Sequence, residues 1–316
     1  MTITQSIKLA VTKLKSSDAT NVPHLEAEIL LSETLKKPRE FILSHGEQKL
    51  TKSQVANYKL LIKKRLKGMP VAYITGEKEF YGLKFKVNKN VLIPRPETEL
   101  MVEETVKLAA RNPKPATLID VGTGSGCIII TLAKILNQKS RISLLRQGFG
   151  EQVNYKLWGI DISKKALTVA RQNAQMHHVN KKIKFVKGNL LEPLLKNYKL
   201  PADWRNNHRP LVILANLPYL APAQIKNSPT IKYEPKSALD GGQDGLKYYR
   251  QLFRQINKLL AASHEPRDIY TLCEIDPEQT AKIKQLIKNK LPEATLQIKK
   301  DLSGLNRLAI ISIKNL

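Results

Sequence analysis

The run Asp120-Val-Gly122-Thr-Gly124-Ser-Gly126 constrains this chain more than any other feature. It follows the apolar stretch 117–119 and opens directly into the apolar stretch 127–136, so three glycines at alternate positions stand between a strand and a helix. Glycine lets the backbone turn sharply there and lets a ligand approach main-chain N–H groups at a helix N-terminus. Downstream, apolar runs at 155–161, 182–188, 211–219 and 268–275 alternate with helical patterns at 164–175, 248–260 and 278–289. This rhythm predicts an α/β fold with a doubly wound, mainly parallel, Rossmann-like sheet.

The first part of the chain reads differently. Residues 1–70 carry apolar positions at helical spacing in 7–14 and 25–35, and Thr51-Lys-Ser-Gln54 forms a capping box ahead of a third helix. They are expected to fold as an N-terminal helical domain. Residues 71–92 alternate around turn signals, with Ala72-Tyr-Ile-Thr-Gly76 and the two runs after it predicted as a β-hairpin linker. From 93 to 316 the larger domain follows, its first helix, 97–111, started by Pro96. An insertion near 138–154, between a helix ending near Leu136 and a strand starting near Tyr155, exceeds the usual αβ connection and reads as a surface loop or hairpin.

Composition excludes several classes. A hydrophobic fraction of 42% is too high for wholesale disorder. No apolar run approaches the roughly 18 residues that cross a bilayer, and lysines interrupt the opening segment where a signal peptide would be continuous. Two cysteines, Cys127 and Cys273, are too few for a disulfide framework, so a cytoplasmic protein without membrane association is expected. The six histidines lack metal-ligand spacing, so no metal is expected. The net charge of +26 is nearly all lysine spread along the chain. It is compatible with proximity to the ribosome or RNA, although a solvated lysine-rich surface is the reading it favours.

Spacing GxGxG with an acidic residue ahead of the first glycine departs from the GxGxxG of a dinucleotide site. Asp120 with Gly122, Thr123, Gly124 and Gly126 suits instead an adenosyl ligand carrying an amino group, which points to S-adenosyl-L-methionine as cofactor. Asp161 closes the next strand, where a carboxylate can accept both ribose hydroxyls; the alternative is an N-cap for the helix beginning at Ser163. Asn189, closing the strand after that, can meet the adenine edge. Asn216-Leu217-Pro218-Tyr219 ends the most apolar strand, beside the cofactor loop. The Asn216 side-chain carbonyl and the Leu217 backbone carbonyl can accept both hydrogens of an NH2 group. Pro218 holds the turn, and Tyr219 offers a planar face.

The order DxGxGxG, Gly-Ile-Asp161, Asn-x-Pro-Tyr resembles class I S-adenosylmethionine-dependent methyltransferases that act on planar nitrogen. Val91-Leu-Ile-Pro-Arg-Pro-Glu-Thr-Glu99 looks like the signature of the release factor glutamine methyltransferases, the PrmC/HemK family. So do Pro70-Val-Ala-Tyr-Ile-Thr-Gly76 with Glu79-Phe80, Tyr233-Glu-Pro, Ala238-Leu-Asp-Gly-Gly-Gln-Asp-Gly245 and Asp301-Leu-x-Gly304-x-x-Arg307. The likeness spans nearly the whole chain apart from 138–154.

It implies a class I methyltransferase fold and methyl transfer to the side-chain amide nitrogen (N5) of the glutamine in the Gly-Gly-Gln loop of peptide chain release factors. Asn216, Pro218 and Tyr219 would be catalytic, Asn216, Leu217, Pro218 and Tyr219 would bind the substrate, Asn216 would also contact the cofactor, and residues 1–70 would dock the substrate. Leu217 stands where the family usually has proline, Asn189 where it has aspartate and Asp276 where glycine is frequent. Asn-Leu-Pro-Tyr is also how ribosomal RNA adenine dimethyltransferases write the motif. An RNA adenine-N6 methyltransferase and a ribosomal-protein glutamine methyltransferase therefore stand as alternatives.

Overall fold

The computed structural model describes residues 1–17, 20–111, 116–146, 155–196, 210–226, 231–262 and 268–314. Four helices come first: α1 (Ile3–Lys15), α2 (Pro23–Leu35), α3 (Arg39–Ser44) and α4 (Lys52–Leu66). Capping boxes start two of them. Thr51 Oγ1 accepts from Gln54 N–H while Gln54 Oε1 accepts from Thr51 N–H, and Thr2 with Gln5 repeats the pattern on α1. Ile3, Leu14, Leu30, Leu31 and Ile42 fill the core between these helices.

The segment expected to open the hairpin is helical. Val71–Thr75 forms a short helix, α5, because the Pro70 carbonyl accepts from Tyr73 and Ile74 N–H and Gly76, at φ 79°, ends the turn. Helical spacing serves two cores at once. Val71 and Ile74 pack on the N-terminal core, whereas Ala72 and Tyr73 pack on a cluster of Val87, Val91, Ala166 and Val169. The hairpin proper is β1 (Glu77–Phe80) and β2 (Leu83–Lys86), antiparallel, turning through Tyr81 (φ 52°) and Gly82 (φ 70°).

After a 3-10 turn at Pro96–Thr98 comes α6 (Glu99–Arg111) and a seven-stranded sheet. Its strands are β3 (Thr117–Val121), β4 (Lys156–Asp161), β5 (Ile183–Lys187), β6 (Leu211–Ala215), β7 (Ile269–Glu274), β8 (Thr295–Lys300) and β9 (Asn306–Ile313). They lie in the order β5-β4-β3-β6-β7-β9-β8, with β9 antiparallel to both its neighbours and the other pairs parallel. Helices cover both faces, which is why β3, β6 and β7 are buried along their whole length.

Alternate strand residues feed two cores. Leu118, Val212 and Leu272 meet α6, α7 (Cys127–Arg146) and α8 (Lys164–Met176). Ile119, Ile213 and Cys273 meet α9 (Glu192–Lys196), α11 (Lys247–Ala262) and α12 (Thr280–Lys290), with the short α10 (Pro222–Lys226) between.

Helix α7 continues past Leu136 to Arg146, so residues 138–146 of the expected surface loop are helix. No glycine or proline interrupts 137–146, and its leucines, lysine, glutamine and arginines favour helix. Residues 147–154 lie outside the described part. The chain runs β3, β4, β5 toward one edge, then crosses to β6 and β7 on the other side of β3. The carboxyl ends of β3 and β6 therefore flank a topological switch point, where open α/β sheets bind ligands.

Candidate active site

Gly122, Gly124 and Gly126 all take positive φ, of 73°, 55° and 81°, so the loop after β3 folds back on itself before α7 begins. At Gly126 a Cβ would stand 2.8 Å from Ile130 Cδ1 and 3.2 Å from Ala170 Cβ, so glycine is what lets α7 and α8 approach there. The Ile160 carbonyl on β4 accepts from both Gly122 and Thr123 N–H, at 2.8 and 3.0 Å. Asn173 of α8 holds the loop from below, donating from Nδ2 to the Ser125 carbonyl at 2.8 Å while its amide pairs with the Lys86 backbone of the hairpin.

Asp120 is 1% exposed. Its Oδ2 accepts from Thr123 Oγ1 at 2.6 Å, and its Oδ1 has no hydrogen-bond partner. Burial pushes this carboxyl up to about 7; the Thr123 hydrogen bond and the nearby Ile129 backbone N–H oppose the rise and the charge of Asp161 adds to it. Asp161 Oδ1 accepts from Ser163 N–H at 2.8 Å and Oδ2 from Gly124 N–H at 2.9 Å. Burial raises its pKa too, against those two backbone bonds. Ser163, not Asp161, caps α8 through Ala166 N–H.

Asn216 follows β6 directly. Its Nδ2 donates to Thr98 Oγ1 at 3.0 Å, and Thr98 Oγ1 donates to Glu274 Oε2 at 2.6 Å. The other oxygen, Glu274 Oε1, accepts from Tyr219 Oη at 3.2 Å, and the Glu274 carbonyl accepts from Tyr249 Oη. Burial pushes the Glu274 pKa up, against the Thr98 hydrogen bond, the charge of Arg307 and the Tyr219 hydrogen bond. Leu217 is buried, and its Cδ2 comes within 3.2 Å of where a Gly122 Cβ would stand, so the two loops touch.

Behind the turn runs the 238–245 loop: Leu220 N–H donates to the Leu239 carbonyl and Gly241 N–H to the Leu220 carbonyl. Gln279 Nε2 donates to the Tyr219 carbonyl at 2.7 Å.

These pieces border one cleft of about 210 Å³, lined by Gly122, Thr123, Gly124, Asp161, Asn189, Asn216, Leu217 and Pro218 together with Arg95, Thr98 and Tyr248. Asp120, Gly126 and Tyr219 are not among its lining residues. Asn189 reaches the cleft while its carbonyl accepts from Gln255 Nε2 at 3.3 Å. Arg95 is held by Glu234, 2.5 Å away, whose second oxygen accepts from Ile93 N–H.

The sequence reading missed Thr98, Glu274 and Gln279. Glu274 had a usable signal, since it closes an apolar strand at the same carboxyl edge as Asp120 and Asp161. Thr98 is hidden inside the Pro-Arg-Pro-Glu-Thr-Glu run, and Gln279 carried no signal.

The PrmC N-terminal domain family matches residues 5–76, and a methyltransferase domain family matches residues 113–259. The release factor glutamine methyltransferase of Enterococcus faecalis is 34% identical over 270 residues, covering 85% of this chain and 84% of that protein. That of Coxiella burnetii is 33% identical over 309 residues, covering 96% and 98%. Among solved structures, the hMettl16 catalytic domain in complex with MAT2A 3'UTR hairpin 6 superposes with a TM-score of 0.51 at 14% identity, over 77% of this chain and 80% of that one. That last likeness is one of fold alone.

Proposed function

The chain belongs to the release factor glutamine methyltransferase family, and on that premise we propose that it transfers a methyl group from S-adenosyl-L-methionine to the side-chain amide nitrogen of the glutamine in a release factor Gly-Gly-Gln loop. The observation that carries this reading is the meeting of Asn216, Leu217 and Pro218 with the glycine loop and Asp161 on one cleft.

The residues fit the donor. Asp120 does not itself line the cleft, but it is hydrogen-bonded to the lining residue Thr123 and its Oδ1 is a buried acceptor without a partner, which a cationic amino group brought against the loop would satisfy. Asp161 oxygens each hold one backbone N–H and retain lone pairs for ribose hydroxyls. Asn189 borders the same space for the adenine edge. When bound, the donor supplies an electrophilic methyl carbon on a sulfonium.

An amide nitrogen is a weak nucleophile because its lone pair is delocalised, so positioning must supply much of the rate. Asn216 Oδ1 and the Leu217 carbonyl would accept the two N–H groups of the glutamine amide and turn its nitrogen toward the donor side of the cleft. The same two acceptors stabilise positive charge as it grows on that nitrogen. Pro218 restricts the turn, and Tyr219 is held by Glu274.

Residues 1–70 would dock the release factor, a role supported by the exposed Leu9, Leu43 and Leu60 on three of the helices. Residues 71–92 would connect them to the transfer domain, 93–316. A substrate that works on the ribosome would place the reaction in the cytoplasm. Among the described residues no helix is long and apolar enough to cross a membrane.

The test is incubation with labelled donor and either a release factor or ribosomal RNA, followed by mass spectrometry of the Gly-Gly-Gln peptide. Methylation of that glutamine is expected. Modification of RNA adenine with none of the peptide overturns the substrate, and Leu217 is the residue that keeps this second reading in view.

A further inference from the structure

Asn216 can hold a substrate NH2 only with its own Oδ1 toward the cleft, because the two ends of a side-chain amide have opposite hydrogen-bond polarity. Both ends have nearly the same shape, so packing cannot choose between them. Hydrogen bonds can. Thr98 Oγ1 owns a single proton and gives it to Glu274 Oε2, 2.6 Å away, so toward Asn216 the hydroxyl can only accept. It does so from Nδ2, at 3.0 Å. In its ionised form, which the Thr98 and Tyr219 hydroxyls and the charge of Arg307 favour against burial, Glu274 accepts and never donates, so the direction of the whole chain is set there.

Glu274 is well placed to hold that direction. It is 2% exposed, closes β7, and its carbonyl is held by Tyr249 Oη. Its second oxygen accepts from Tyr219 Oη, so one side chain reaches two members of the Asn216–Tyr219 turn.

We propose that Thr98 and Glu274 are positioning residues for methyl transfer: a one-way relay from Asn216 through Thr98 to Glu274 locks Oδ1 of Asn216 toward the acceptor nitrogen, while the other Glu274 oxygen fixes the Tyr219 ring. The relay rests on the glutamine methyl-transfer reading and deepens it. Thr98 borders the cleft and Glu274 does not line it, and each acts through a member of the turn.

Thr98→Val keeps the side-chain shape and removes the hydroxyl, and Glu274→Gln keeps the shape and replaces the obligate acceptor with a group that can run the relay in either direction. Each should lower kcat on a release factor about tenfold or more, with the donor dissociation constant unchanged. Thr98→Ser should recover most of the lost rate. In an Asn216→Ala background Thr98→Val should cost nothing further, because there is no amide left to orient. In protein labelled with 15N-asparagine and left free of donor, the Asn216 NH2 resonance should shift in Thr98→Val.

A wild-type rate in Thr98→Val or Glu274→Gln, or losses that add in the double variant, overturns the relay while leaving the methyl-transfer reading standing. Absence of release factor methylation by the unaltered protein overturns that reading, and the relay with it.

Discussion

Asp161 spends one lone pair of each oxygen on the glycine loop and the start of α8, so its removal would be felt by the loop that shapes the cleft and, on the proposed reading, by the donor as well. Asp161→Ala should weaken donor binding by roughly 1.5 to 3 kcal/mol, read by calorimetry on a folded variant. Asp120 behaves differently because burial holds its pKa near 7, above the 3.8 of an exposed aspartate. Below that pH the free protein keeps the carboxyl protonated, whereas a donor amino group set against it would favour the charged form, so on the proposed reading binding would expel a proton. Donor affinity should therefore fall by up to about tenfold per pH unit below 7 and level off above it. Asp120→Asn should flatten that profile. For stability the sign is the reverse of a salt-bridged carboxylate: the folded state holds a proton that the unfolded state has lost, so this residue's contribution declines as pH rises from about 4 to about 7.

At the scale of elements, the Asn216–Tyr219 turn owes its shape to a neighbour distant in sequence. The 238–245 loop presses its glycines against the turn so closely that a Cβ at Gly245 would stand 2.1 Å from the Tyr219 carbonyl oxygen, and one at Gly241 2.6 Å from that of Pro218. Gly245 also sits at φ 72°, where a side chain is strained whatever the space. Gly245→Ala should cost about 1 to 3 kcal/mol of stability, read by denaturant unfolding, and should lower methyl transfer more than donor binding. Equal losses in both would mean that the loop shapes the whole cleft instead of the turn. The hairpin is tied in by the same kind of distant contact, with Asn173 of α8 pairing with the Lys86 backbone and reaching Ser125 beneath the glycine loop.

Across the whole molecule, α5 is the joint: four consecutive residues divide between the helical core and the cluster under α8, and Tyr73 Oη donates to the Val91 carbonyl at 2.6 Å. Tyr73→Ala should lower stability by about 2 kcal/mol with both parts unfolding in one transition; two separated transitions would show that the joint is weaker than this geometry indicates. The sequence by itself determined the glycine loop, the acidic strand end at Asp161, the parallel-sheet rhythm, the capping boxes and the Asn216–Tyr219 turn, because each is written in consecutive residues or a local period. Tertiary structure alone decided that 72–76 coils instead of extending, since its short apolar alternation suits either form until two cores claim opposite faces. It alone joined Thr98 to Asn216 across 118 positions and to Glu274 across 176. Such pairings arise when the chain crosses over β3 to lay β6 and β7 together and packs the Pro96–Thr98 turn above their ends, and a hydrogen bond between residues so far apart leaves no periodic trace in the sequence.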